Sequence, residues 1–120
     1  MEELPNILAQ RYASNEMVSL WSPQNRILEE RRLWVAILEA QKNAGLHISP
    51  EAIKAYKAVT ENIDMDSIRA REAQTHHDVK ARIDEFCALA GHEEIHQGLT
   101  SRDLTESIEQ KLLLKSLKII

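Results

Sequence analysis

The chain has 120 residues, a net charge of -4 and only 3 Gly, 3 Pro and 5 aromatic side chains among many Leu, Ile, Ala, Glu, Lys and Arg. That length fits one domain with a moderate core, and the composition favours an all-α fold with no alternating strand. The acidic balance excludes a nucleic-acid binder that works by bulk charge, and no apolar run approaches the length of a membrane span.

Residues 1–13 are expected to be extended or irregular, because Pro5 and Asn6 interrupt the apolar pattern. The opening MEELPNILAQ is acidic and lacks a long apolar core, so it does not read as a signal peptide. Arg11-Tyr12 sets a guanidinium fork beside a phenol. Such a pair can hold a phosphate through charge-assisted hydrogen bonds, and it is also common on ordinary helix surfaces.

A short helix is expected from about Ser14 to Leu20. Ser22-Pro23, an N-cap followed by proline in the first helical position, then opens a long helix that runs to about Ala44 and stops at Gly45. In it Leu33, Ile37, Ala40 and Ala44 step by 4, 3 and 4, with Ile27, Trp34 and Leu38 on an adjoining stripe, so one broad face is buried. Ser49-Pro50 starts a helix ending near Thr60, and Asp64 caps another that reaches about Gln74.

The unusual residues collect between Thr75 and Ser107, where four of the five histidines fall. This stretch holds two copies of Thr-x-x-Asp, Thr75 to Asp78 and Thr100 to Asp103, each before a segment of helical apolar spacing. Each copy predicts a capping box that opens a helix. The first helix would bury Val79, Ile83, Phe86 and Ala90 with Cys87 beside them, put Lys80, Arg82, Asp84 and Glu85 on its other faces, and end at Gly91. A single cysteine on an apolar face has no internal disulfide partner and fits a reducing cytoplasm. The last helix, from Ser101, lines up Leu104, Ile108 and Leu112 and then becomes apolar nearly all round through Leu113, Leu114, Leu117, Ile119 and Ile120. Such an end suits a larger bundle or a partner subunit.

Three groups in this stretch invite chemistry. His92-Glu93-Glu94-Ile95-His96 spells the zinc pattern H-E-x-x-H, but Gly91 and Gly98 bracket it too closely for the continuous helix that the metal geometry needs, so no metal is expected there. His76-His77-Asp78 places imidazoles near a carboxylate at a helix start, where they can position a ligand or move a proton near neutral pH. Thr100-Ser101 offers hydroxyls and free backbone N–H groups to a carboxylate or phosphate, and equally makes an ordinary N-cap. No nucleophile stands beside a base, and no glycine-rich phosphate loop or cysteine pair is present, so the residues themselves reach no further than an anion site on helix ends.

RYAS near the start, MVSLWSP with RILEERRLWVAILEAQ, then THHDVKARIDEF and HQGLTSRDLTES together resemble the adenylosuccinate lyases of the fumarase and aspartase superfamily, in order and over essentially the whole chain. The resemblance implies an all-α helical-bundle enzyme, homotetrameric and cytoplasmic, that eliminates fumarate from adenylosuccinate and from succinylated aminoimidazole carboxamide ribotide in purine biosynthesis. It implies a small anionic nucleotide substrate, no metal or organic cofactor, and no nucleic-acid or membrane partner. Residues 1–100 would be the N-terminal helical domain, and 101–120 the start of the central bundle's first long helix. By the same resemblance Arg11 and Tyr12 bind the substrate phosphate, His76, His77 and Asp78 line the active site, Thr100 and Ser101 contact substrate, and His96 is a further active-site histidine. Position 76 is often Arg or Lys in relatives, so its His is a departure. The general acid, the loop serine taken as base and the signature lysine of the family have no counterpart among these 120 residues, so the chain alone is expected to be catalytically incomplete. The competing expectation is a non-catalytic helical module whose apolar last helix is a contact surface.

Overall fold

The computed structural model describes residues 6–120, the side chain of Ala9 excepted. Among these residues there are seven α-helices and no strand: α1 (Ile7–Tyr12), α2 (Asn15–Leu20), α3 (Pro23–Asn43), α4 (Pro50–Val59), α5 (Met65–Thr75), α6 (Asp78–Ala90) and α7 (Ser101–Ile119). The all-α expectation therefore holds. No described helix is long and apolar enough to cross a membrane.

Most helix ends follow the expected capping chemistry. Ser14, Ser49 and Asp64 each accept a backbone N–H in the first turn of the helix they precede, and Gly45 and Gly91 take the left-handed backbone that ends α3 and α6. The start of the chain differs from expectation, because residues 7–12 are helical rather than irregular. Asn6 explains it: its side chain accepts from Leu8 N at 2.9 Å and its carbonyl from Gln10 N at 3.0 Å, so a residue read as a breaker is a cap. Pro5 lies outside the described residues.

The chain divides into two compact units, one made of the segment ending at Glu30 together with Thr100–Ile120, the other of Arg31–Leu99. In the first, α2 packs on α7. Trp21 Nε1 donates to Ser116 Oγ at 2.8 Å, and Arg26 pairs with Glu109 at 3.3 Å. Glu29 is fully buried and receives both Lys111 and Lys115, the latter at 3.0 Å. Leu104, Ile108 and Leu112 are buried as expected, whereas Leu113, Leu114, Leu117 and Ile120 are exposed.

In the second unit α6 packs against both α4 and α5. The core gathers Trp34, Leu38, Ala52, Tyr56, Ile68, Val79, Ala81 and Phe86. Two expectations about faces fail here for one reason. The centre of the buried face of α3 is Arg31, Trp34, Val35 and Leu38, while Leu33 and Ile37 are half-buried and Ala40 and Ala44 exposed. Glu85, read as part of a solvated face, is buried and paired with Arg31. A polar residue looks solvated until its partner, here 54 positions away, is known. Arg31 also donates through Nη1 to the carbonyls of Val59, Thr60 and Asn62 at 3.1, 3.2 and 3.1 Å and lies 4.7 Å over the Phe86 ring. A guanidinium thus satisfies the open carbonyls at the end of α4, a place where a cation also meets the favourable end of the helix dipole.

Candidate functional site

The two Thr-x-x-Asp copies fold differently. At Thr100 the capping box is complete: Thr100 Oγ1 accepts from Asp103 N at 3.2 Å, and Asp103 Oδ2 accepts from Thr100 N at 3.0 Å. Ser101 follows as the first residue of the 19-residue α7. At Thr75 the expected box is absent. Thr75 is the last residue of α5, His76 is its C-cap in the left-handed region at φ 54°, and the N-cap of α6 is His77. The turn between the two helices is so short that the previous helix claims the threonine. Its hydroxyl instead bridges His77, donating to the carbonyl at 3.2 Å and accepting from the N–H at 3.3 Å.

His77 caps α6 with its ring, Nδ1 accepting from Lys80 N at 3.2 Å. The neutral ring then carries its proton on Nε2. Asp78 Oδ1 is 3.9 Å from the same nitrogen, beyond hydrogen-bond reach, so the backbone of Lys80 rather than Asp78 fixes the tautomer. Burial pushes the Asp78 carboxyl up, but the Val79 backbone N–H, Arg82 and His77 outweigh it and hold the group below the usual carboxylate value. An ionised Asp78 beside an exposed imidazole leaves this corner polar and open to solvent.

His92 to His96 is a loop of irregular and turn residues, so no helix carries the two imidazoles one turn apart, as the flanking glycines suggested. Two core side chains hold this loop. Tyr56, buried and with its phenol pushed up mainly by that burial, donates to His92 O at 2.7 Å and accepts from Glu94 N at 3.0 Å. Trp34 Nε1 donates to His96 Nδ1 at 3.0 Å, with the two rings edge to face at 84°. His96 itself has φ 66°. Among the described residues only His76 and His96 are non-glycine residues with positive φ, and both are predicted site residues.

The predicted residues divide between the units. Arg11, Tyr12, Thr100 and Ser101 belong to the first, with Arg11 and Tyr12 exposed at the end of α1. His76, His77, Asp78 and His96 belong to the second. An open cleft of about 860 Å³ in the second unit is lined by Arg71, Lys80, Asp84, Cys87, His92 and Glu94, and takes in none of the predicted site residues. Burial raises the Cys87 thiol and the Tyr56 hydrogen bond only partly offsets it, so this sulfur is a poor nucleophile. Sequence reasoning assigned Trp34 to the core and missed its contact with His96. The signal was available in part, since a buried indole N–H usually requires an acceptor.

No protein-family profile matches the chain. Among curated proteins, the adenylosuccinate lyase of Schistosoma mansoni is 34% identical over 122 residues, covering 99% of this chain and 25% of that protein. The adenylosuccinate lyase of Saccharomyces cerevisiae is 37% identical over 109 residues, 85% of this chain and 22% of that protein. That of Methanocaldococcus jannaschii is 33% identical over 115 residues, 92% of this chain and 25% of that protein. The chain spans about a quarter of the length of the curated relatives it matches.

Proposed function

By sequence the chain belongs with the adenylosuccinate lyases, of whose length it spans about a quarter, and from that premise we propose that the whole protein cleaves a C–N bond and releases fumarate from a succinylated purine nucleotide. The observation that carries this reading is similarity along 99% of the chain to a protein of that name. The substrates proposed are adenylosuccinate and succinylated aminoimidazole carboxamide ribotide, and the working form is a cytoplasmic homotetramer without metal or organic cofactor. Residues 1–100 form its N-terminal helical domain, and 101–120 begin the central bundle.

In this elimination a base removes the Cβ proton, the resulting carbanion delocalises into the adjacent carboxylate, and an acid protonates the leaving nitrogen. These 120 residues contribute binding and orientation. Arg11 and Tyr12 hold the phosphate. His77, beside His76 and Asp78, donates from Nε2, because Nδ1 is occupied by the Lys80 N–H. Ser101 adds a hydroxyl in the first turn of α7, where open backbone N–H groups favour an anion. The acid and base that the resemblance implies have no counterpart here, so this chain alone is expected to release no fumarate.

The test is made on the full-length protein. His77→Asn keeps a good capping acceptor while removing the imidazole, and Ser101→Ala leaves the Thr100 box intact. Each is expected to lower kcat/KM by about 10- to 100-fold, the worth of a charged or hydroxyl contact to an anion, with an unchanged denaturation midpoint. Wild-type kinetics with lowered stability would overturn the site. The exposed Leu113, Leu114, Leu117 and Ile120 favour a second reading, a purely associative helix. Binding of adenylosuccinate or AMP to the full-length protein separates the two, since an associative module has no reason to recognise either.

A further inference from the structure

We infer that Trp34 is a positioning residue for the elimination, acting through His96. The inference rests on the reading above, with His96 taken as the further active-site histidine that the family resemblance implies. Three features of the second unit converge on this ring. Its backbone sits at φ 66°, a conformation uncommon for a residue with a side chain, so the loop's other contacts must hold it there. Its Nδ1 accepts the Trp34 Nε1–H at 3.0 Å. The indole that donates is itself 1% exposed and stacked on Phe86 at a centroid separation of 6.2 Å. Phe86 in turn packs against Tyr56 at 4.9 Å, and Tyr56 pins the first half of the same loop through His92 O and Glu94 N. The ring of His96 is therefore located from both ends of its loop by one aromatic cluster.

The chemistry of the donor matters more than its shape. An indole nitrogen can only donate, so the ring nitrogen facing it must keep its lone pair. That places the proton of the neutral imidazole on Nε2 and makes the ring a donor at that atom. A protonated ring would set N–H against N–H and lose the bond. Trp34 thus selects both the tautomer and the orientation of His96 from inside the core, without touching substrate. His77 reaches the same tautomer by a different route, through the backbone N–H of Lys80. Two candidate site histidines are both held as Nε2–H donors.

The experiment replaces Trp34 in the full-length protein by β-(3-benzothienyl)alanine, which keeps the fused ring and puts sulfur where the N–H was, and separately makes Trp34→Phe. The expected result is a fall in kcat/KM of about 3- to 10-fold for the analogue, the usual worth of one neutral hydrogen bond, with the denaturation midpoint of the wild type. In a His96→Ala background the same replacement should change kcat/KM by less than about 2-fold, because a positioning role disappears with the residue it positions. Nitrogen-15 NMR of the imidazoles should show His96 as the Nε2–H tautomer in the wild type, with its Nδ1 resonance displaced in the analogue. An equal loss in both backgrounds would show that Trp34 only packs, and would overturn the inference. So would an Nδ1–H tautomer in the wild type, or full activity of the analogue beside an inactive His96→Ala. Full activity of His96→Ala would instead remove the premise that His96 faces substrate, a failure of the site reading that the tautomer measurement tells apart.

Discussion

Glu29 in the first unit and Glu85 in the second are both buried, and the two are accommodated in opposite ways. Glu29 receives two lysines whose own side chains stay about two-fifths exposed, at 43% and 40%. Burial raises its carboxyl, but Lys111 and Lys115 outweigh that and hold it below its ordinary value. Glu85 meets a single arginine that is as buried as itself and already shared with three carbonyls. There burial outweighs Arg31, and the carboxyl is raised. The comparison teaches that a buried charge is settled by how much charge its partner can spare, and a lysine that keeps its head in water spares more than a guanidinium committed elsewhere.

The sharpest way to break the comparison is to remove the committed partner. Arg31→Met should destabilise by about 3 to 5 kcal/mol, since it strands Glu85 and three carbonyls in the core at once. Chemical denaturation measures it, and a loss under about 1 kcal/mol would mean that the pair is dispensable. Next in size, Glu29→Gln should cost about 1 to 2 kcal/mol near neutral pH, reduced by the solvent around both lysines.

The pH dependence gives the two carboxylates opposite signs. Glu29 has a depressed folded value, so its contribution is complete above 4.5, the ordinary glutamate value, and is lost as pH falls through the folded value. Glu85 has a raised folded value, so its contribution is complete in acid and is lost as pH rises through that value. The cost of Glu29→Gln should therefore grow as pH is raised from about 3 to 6 while that of Glu85→Gln shrinks. Parallel slopes in denaturation series on the two variants would refute the assignment.

The smallest expected difference compares one spelling in the two units. Thr100→Ala should cost about 1 kcal/mol because it dismantles a complete capping box. Thr75→Ala should cost no more than about 0.5 kcal/mol, since that hydroxyl is exposed and caps nothing. Equal midpoints for the two variants would contradict the capping geometry.

The punctuation of this fold was legible in the sequence. Ser22-Pro23, Ser49-Pro50, Asp64, Gly45 and Gly91 act locally, so each marks its helix end without knowledge of the rest of the chain. Thr75 shows the limit: its pattern is identical in form to that at Thr100, but only the length of the preceding helix decides whether it opens or closes one. Arg31, Glu85 and Glu29 were illegible because their partners lie far along the chain, and charge on a helix ordinarily means solvent. The candidate site residues were named from short motifs. How His77 and His96 are held, by Lys80 N and Trp34, required coordinates.

The pairing of Glu29 with α7 also bears on a question that the last leucines alone leave open. Leu112, Leu113 and Leu114 are consecutive and alike, yet only Leu112 is buried. Rolling the helix by about 100°, one residue, would move Leu104, Ile108 and Leu112 out and bring Thr105, Glu109 and Leu113 into their places, so apolar burial already opposes it. The same roll would carry Lys111 and Lys115, one turn apart, away from Glu29 and abandon a carboxylate in the interior. Apolar burial along the helix and the ion pair therefore favour the same orientation. The leucines that remain outside are the ones that both exclude.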